Sequence, residues 1–240
     1  MGTSFGAVIG AAFAAGATPE SLAAEFAGGS REKIAPIDLV SIIKGVYADH
    51  LIKPGPLKAL IARIVPARRF DQLAVPLSVA VTDLDSGALV VFGAGGRGDV
   101  GLRDALYATC ALPLYFEPAR INGGRYADGG LRSVLPLEPA AQIPADLVVA
   151  VHVGPGFDEQ PPPTSKTSTT FRLPPLIRAH GESERIMMAA QVERTIALWP
   201  RNGPRLLVVR AVREKEATFA VENVSRYIEA GYRETKAALG

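Results

Sequence analysis

The sequence predicts an α/β domain, a sheet with helices on both faces, and three observations point to it. Strand-like runs (LSVAVTDL at 77–84, ALVVFG at 88–93, DLVVAVHV at 146–153, RLLVVRAV at 205–212) are interleaved with helix-like stretches. The run at 146–153 is almost continuously apolar, the pattern of a strand buried on both faces of a parallel sheet. A chain of 240 residues, 48% apolar and 21% charged, suits one soluble domain (1–240) with a sizeable core.

Phe5 to Ala15 (FGAVIGAAFAA) is small and apolar all round, the composition of a helix buried against a sheet, and it should stop at Gly16. Thr18-Pro19-Glu20 restarts a helix, with Thr18 as N-cap and Pro19 at the first helical position, and Gly28-Gly29 ends it. Residues 37–51 and 56–65 read as amphipathic helices split by Lys53-Pro54-Gly55-Pro56. In the second, Leu57, Leu60, Ile61 and Ile64 share a face that excludes Lys58 and Arg63. The plain reading is a core-facing helix with a solvated basic side. The sharper reading makes 35–72 a helical lid or membrane-surface segment.

From Leu77 two strands join at Asp85-Ser86-Gly87, and GLRDALYATC (101–110) reads as a helix. Asn122-Gly123 in RINGGRYAD signals a hairpin. After the strand at 146–153 comes a Pro/Ser/Thr-rich loop (155–175), expected to be mobile. A helix near 176–198, the strand at 205–212 and a closing helix near 219–239 complete the chain.

Composition narrows the function. Twenty-six basic against 24 acidic residues give a net charge of +2, so bulk charge offers no case for nucleic acid. A single cysteine, Cys110, excludes an internal disulfide and a cysteine-built metal site, and its apolar surroundings suggest a small core residue. His50, His152 and His180 are scattered and make no metal site; no metal or organic cofactor is expected. No Lys or Arg precedes Arg31, so the apolar start lacks the charge of a signal peptide, and it is too short and too rich in Gly and Ala to span a bilayer. Gly6 stands where a myristoylation motif wants Ser or Thr. A cytoplasmic protein is expected, with peripheral membrane contact as a candidate; oligomeric state is left open.

Two motifs carry chemistry. Gly2-Thr3-Ser4-Phe5-Gly6 fits G-x-S-x-G, a nucleophile elbow in which a sharp strand-to-helix turn presents a serine hydroxyl. Its glycines are expected because the turn leaves no room for a Cβ on either side. The helix N-terminus would favour negative charge near Ser4. Asp128-Gly129-Gly130 follows the hairpin's second strand and places a carboxylate before a backbone free to turn sharply. Each motif alone also has a bland reading, a Gly-rich helix start and a common turn.

Together, GTSFGA opening a helix, ATCALPLYFEP at 108–118 and YADGGL at 126–131, in that order, resemble the patatin-like phospholipase family. The likeness includes the TDLDSGALVVF strand pair and a YIEAGY-type final helix. It implies a three-layer α/β/α sandwich with a mostly parallel central sheet and a Ser–Asp dyad acting without histidine. Ser4 would be the nucleophile and Asp128 its general base, releasing a fatty acid from a lipid or acyl-ester substrate through an acyl-enzyme. Aspartate is a weak base at its reference pKa of about 3.9, so the role calls for contact with the hydroxyl and partial desolvation, which Leu112, Leu114, Phe116 and Leu131 could supply.

One departure stands beside the matches. The family's glycine-rich oxyanion loop lies upstream of the serine, and this sequence opens after it, leaving the Phe5 backbone N–H as a thin substitute. Two readings follow: a start internal to a longer protein, or a truncated and nearly inactive relative lacking its first strand or strands. A non-enzymatic alternative is a lipid-binding module with an apolar cleft. A Ser-His-Asp triad using Ser4, Asp128 and His152 has the chain order of α/β-hydrolases, although His152 lies within a strand run. Gly93 to Gly98 fits G-x-G-x-x-G but lacks the acidic residue ending a second strand, and reads as a plain loop.

Overall fold

A computed structural model describes residues 1–27, 50–159, 175–213 and 223–240. The expected helix at 37–51 therefore falls almost wholly outside the described residues, as do most of the 155–175 loop and the start of the closing helix. The chain divides into two compact units, Met1–Pro136 and Leu137–Gly240.

In the first unit, β1 (Gly2–Thr3) leads into α1 (Ser4–Ala14), and α2 (Pro19–Ala27) follows. The predicted cap is present: the Ser21 N–H donates to Thr18 Oγ1 at 3.2 Å, and the Thr18 N–H donates to Ser21 Oγ at 3.1 Å. Next come α3 (Pro54–Ile64), β2 (Ser78–Asp83), β3 (Leu89–Gly93), α4 (Leu102–Cys110), β4 (Ala119–Ile121) and β5 (Gly124–Asp128). Asn122 and Gly123 turn the β4–β5 hairpin with φ of 48° and 82°. Positive φ at both central residues is what a tight two-residue hairpin demands.

The sheet is mixed. β3 pairs antiparallel with Ser78–Thr82 along one edge of β2. The other edge is shared: β1 runs parallel beside Val79 and Ala80, and β5 runs antiparallel beside Val81–Asp83. β4 continues beyond β5. Among the described strands of this unit, β1 and β2 pair in parallel and the other strand pairings are antiparallel. Helices α1 and α4 pack on this sheet and on each other, and α3 packs on α4, an arrangement consistent with the α/β sandwich.

Apolar patterning explains the packing. Leu57, Leu60, Ile61 and Ile64 are the buried face of α3, as their spacing predicted, while Lys58 lies over the Tyr107 ring and Arg63 pairs with Glu25. The core gathers Val8, Ala11, Val79, Val81, Phe92, Leu102 and Leu106. α1 departs from expectation. It buries one face only (Ala7, Val8, Ala11, Ala12, Ala14), while Phe5 and Phe13 stay exposed.

The second unit holds α5 (Leu137–Ala140), β6 (Leu147–Val151), α6 (Pro175–Ala197), β7 (Arg205–Val209) and α7 (Val224–Leu239). β6 and β7 pair in parallel from Leu147↔Arg205 to Val151↔Val209. The predicted burial of this strand on both faces does not hold. Leu147, Val149 and Val151 are exposed and Ala150 is buried, so among the described residues one face of β6 is covered and the other is open. No helix among the described residues is long and apolar enough to cross a membrane.

Candidate active site

The shared edge of β2 creates the site. β1 ends at Thr3, opposite Ala80, and β5 arrives from the other direction to end at Asp128, opposite the next residue, Val81. Two strands running head-on along one edge cannot both continue, so each chain must leave the sheet there. One leaves through Ser4 and the other through Gly129.

Ser4 leaves by a strained turn. Its φ is 51°, while Thr3 before it is extended at φ −126°, ψ 143°. A positive φ is uncommon for a non-glycine residue and costs on the order of 1–3 kcal/mol, so the surroundings must hold it. Three contacts do so. A Cβ on Gly2 would come within 2.6 Å of Ala7 Cα, so only glycine lets α1 fold back this closely. Thr3 Oγ1 donates to the Ser133 carbonyl at 2.9 Å. The Ser4 N–H donates to Thr109 Oγ1 at 2.8 Å, and that hydroxyl donates onward to the Ala80 carbonyl at 2.5 Å.

The second elbow glycine behaves differently. A Cβ on Gly6 would meet nothing within 4 Å among the described residues, so the tight fit expected on both sides of the serine applies to Gly2 alone. Phe5 packs edge-on against Phe26 with ring centroids 5.8 Å apart. Its N–H sits in the first turn of α1, where helix geometry leaves amides without an intrahelical acceptor.

Asp128 is held as firmly. It is 4% exposed. Its N–H donates to the Ala111 carbonyl at 3.0 Å, its carbonyl accepts from Thr82 Oγ1 at 2.9 Å, and its Oδ1 accepts from the Gly130 N–H at 2.7 Å. A carboxylate accepting from the amide two residues on is an Asx turn, which aims the side chain back over the Gly129-Gly130 bend. Gly129 is required sterically: a Cβ there would overlap the Ala80 carbonyl and lie 3.0 Å from Thr3 Cγ2.

Cys110 joins the two halves. Burial pushes its thiol well above the ordinary value, the nearby Asp128 charge pushes the same way, and a hydrogen bond with the Ser4 side chain opposes them. The thiol is therefore protonated and inert at neutral pH, a polar neighbour rather than a nucleophile. The core role expected of Cys110 is correct, with the addition that it touches Ser4.

The glycines of the 93–98 loop fold it onto β3: the Gly93 N–H donates to the Arg97 carbonyl and the Arg97 N–H to the Val91 carbonyl, both at 2.9 Å. A Cβ on Gly96 would overlap the Val91 carbonyl, so this loop is packing, as the plain reading had it. A cavity of about 480 Å³ lined by Arg69, Phe70, Gly93 and Val100 opens beside it, and neither Ser4 nor Asp128 lines that cavity. In the second unit, His152 Nδ1 faces the Arg210 guanidinium at 2.6 Å. Burial, then the Arg210 charge, lower its pKa to about 4. An imidazole so placed is a weak proton acceptor at neutral pH, which counts against the triad reading.

Thr109 escaped the sequence reading. Its signal was present: an aliphatic hydroxyl in the mostly apolar stretch Ala105 to Ala111, on a helix packed against the sheet. A buried polar side chain in such a setting marks a specific partner.

Comparison with known proteins places this geometry in context. Residues 1–141 match the patatin-like phospholipase family. An uncharacterized NTE family protein of Mycobacterium bovis is 30% identical over 170 residues, covering 69% of this chain and 44% of the relative. Uncharacterized NTE family proteins of two Mycobacterium tuberculosis strains match to the same extent, so the chain spans less than half the length of these relatives. The crystal structure of VipD from Legionella pneumophila covers 78% of this chain and 34% of its own at 17% identity and a TM-score of 0.36, too distant a likeness to bear on the site. The match across more than half of the sequence is decisive: the chain belongs to the patatin-like phospholipase family, a family of lipid hydrolases.

Proposed function

We propose that this chain hydrolyses carboxylic esters of lipids with Ser4 as nucleophile and Asp128 as general base. One observation carries the reading: β1 and β5 end on adjacent residues of one β2 edge, which brings a serine on a strained turn and a buried carboxylate to the same point. Strain and burial of this kind concentrate at reacting groups.

The chemistry follows from the groups. Asp128 accepts the Ser4 hydroxyl proton as Oγ attacks the ester carbonyl, forming a tetrahedral oxyanion. Collapse breaks the bond to the alcohol, which leaves with the proton returned from Asp128, and the acyl group remains on Ser4. Water, deprotonated by Asp128, then attacks the acyl-enzyme; collapse breaks the acyl–Oγ bond, Ser4 takes the proton back from Asp128, and the fatty acid leaves. The Phe5 N–H at the head of α1 and the positive end of that helix are the groups in hand for the oxyanion. No metal or organic cofactor enters these steps. The substrate is an acyl ester met at a lipid surface, to which the exposed Phe5 and Phe13 of α1 are suited.

The test is hydrolysis of a p-nitrophenyl acyl ester and of phosphatidylcholine vesicles by the 240-residue chain and its variants. Ser4→Ala and Asp128→Asn should each lower kcat by roughly 10³-fold or more. Ester turnover that survives Ser4→Ala contradicts the reading. Vesicle binding that persists in both variants, with no turnover by the wild type, would favour the lipid-binding alternative.

A further inference from the structure

We propose that Thr109 is a positioning residue for the nucleophile: its hydroxyl, set between the Ser4 amide and the Ala80 carbonyl, holds the turn on which Ser4 stands. The inference rests on Ser4 being the nucleophile. Thr109 lies in the last turn of α4 and is fully buried. A threonine inside a helix commonly returns its hydroxyl to the carbonyl four residues back. This one points out of its own helix. It donates to Ala80 at 2.5 Å and accepts from Ser4 at 2.8 Å, so both bonds go to other elements.

The position of these partners explains the need. β1 runs parallel to β2 with Thr3 opposite Ala80, so the next amide along the β1 side is that of Ser4. In a continuing ladder such an amide would turn towards a β2 carbonyl. The positive φ of Ser4 takes the chain away from the sheet instead. The Thr109 hydroxyl fills the gap, as an acceptor for the amide and a donor for the carbonyl. Without it, a first-turn helix amide and a strand carbonyl would both lose their partner.

The hydroxyl touches the nucleophile's backbone and none of the reacting atoms. Its loss should therefore change how often Ser4 Oγ stands in attacking geometry and leave substrate contacts alone. Misplacement of a reacting group by about 1 Å can cost on the order of 10²-fold in rate. The β-branch of threonine restricts χ1 and keeps the hydroxyl on its bridge.

The experiment measures covalent modification by a fluorophosphonate probe, with the modified residue located by mass spectrometry and the rate constant read per labelled site. Reading the rate per site keeps a partly unfolded preparation from mimicking the effect. Thr109→Val keeps the shape and removes the hydroxyl; its labelling rate and kcat should fall about 10- to 100-fold with KM unchanged. Thr109→Ser, which restores the hydroxyl, should stay within about threefold of wild type. Should Thr109→Val fail to fold, Thr109→Cys, of similar size and with much weaker hydrogen bonding, takes its place and should also label slowly. Wild-type rates in the hydroxyl-free variant, or no recovery in Thr109→Ser, would overturn the role of Thr109. Wild-type protein labelled somewhere other than Ser4 would overturn the nucleophile assignment instead, so the two failures are distinguishable.

Discussion

Strands β2 and β6 look alike as sequence, SVAVTD against LVVAV, yet they live in opposite circumstances. Every β2 residue from Ser78 to Thr82 is buried, whereas Leu147, Val149 and Val151 of β6 are exposed. The difference is the number of neighbours. β2 is flanked by β3 on one edge and by β1 and β5 on the other, with α1 and α4 packed on it. β6 pairs with β7 alone among the described strands. An apolar run thus announces a strand, while burial depends on how many other segments find it. The crowding of β2 also brings the ends of β1 and β5 onto adjacent residues of one edge, where the candidate site lies.

The largest effects should come where β2 is most crowded. Gly129→Ala drives a Cβ into the Ala80 carbonyl beside Thr3, and should destabilise the protein by about 3 kcal/mol and abolish activity. Gly6→Ala is its foil. With nothing within 4 Å and a helical position, it should stabilise by about 0.5–1 kcal/mol in chemical denaturation. Equal effects at the two glycines would break the account of the elbow.

The strands themselves give the next contrast. Val81 is fully buried and Val151 is 58% exposed. Val81→Ala should cost about 2–3 kcal/mol from lost burial and the cavity left behind, and Val151→Ala no more than about 0.5 kcal/mol. A large cost at Val151 would mean that its face is covered in solution.

The last contrast concerns the end of β6. The pKa of His152 is lowered from 6.5 to about 4 by burial and by Arg210. Between those values the unfolded chain binds the extra proton, so this contribution is fully present above about pH 6.5 and fades as pH falls towards 4. Melting curves at pH 7.5 and 4.5 should therefore show a smaller acid loss in His152→Gln than in wild type. An identical loss in both would remove His152 from the acid response.

Local signals were legible where chemistry is local. Thr18 with Pro19, Asn122 with Gly123, and the apolar face of Leu57, Leu60, Ile61 and Ile64 each specify their own backbone or their own burial. The site was legible only as two fragments, Gly2 to Gly6 and Asp128 to Gly130, because each is a sharp turn with a steric reason for glycine. What joins the fragments is not written near either. The pairing of Thr3 with Ala80 and of Asp128 with Val81 depends on β2, some 75 residues from the first fragment and about 45 from the second. The role of Thr109 was hidden for the same reason: its polarity showed in the sequence, but its partners Ser4 and Ala80 come from two other elements. The open face of β6 was misread because an apolar run does not show what packs on each face of its sheet.

The central claim is that Ser4 and Asp128 work as one unit at the point where β1 and β5 meet. A double-mutant cycle on ester hydrolysis tests it most directly, comparing Ser4→Ala, Asp128→Asn and the double variant. If the two side chains serve a single proton transfer, removing both costs no more than removing Ser4 alone. Losses that multiply would mean that the two act independently, and the dyad would have to be given up.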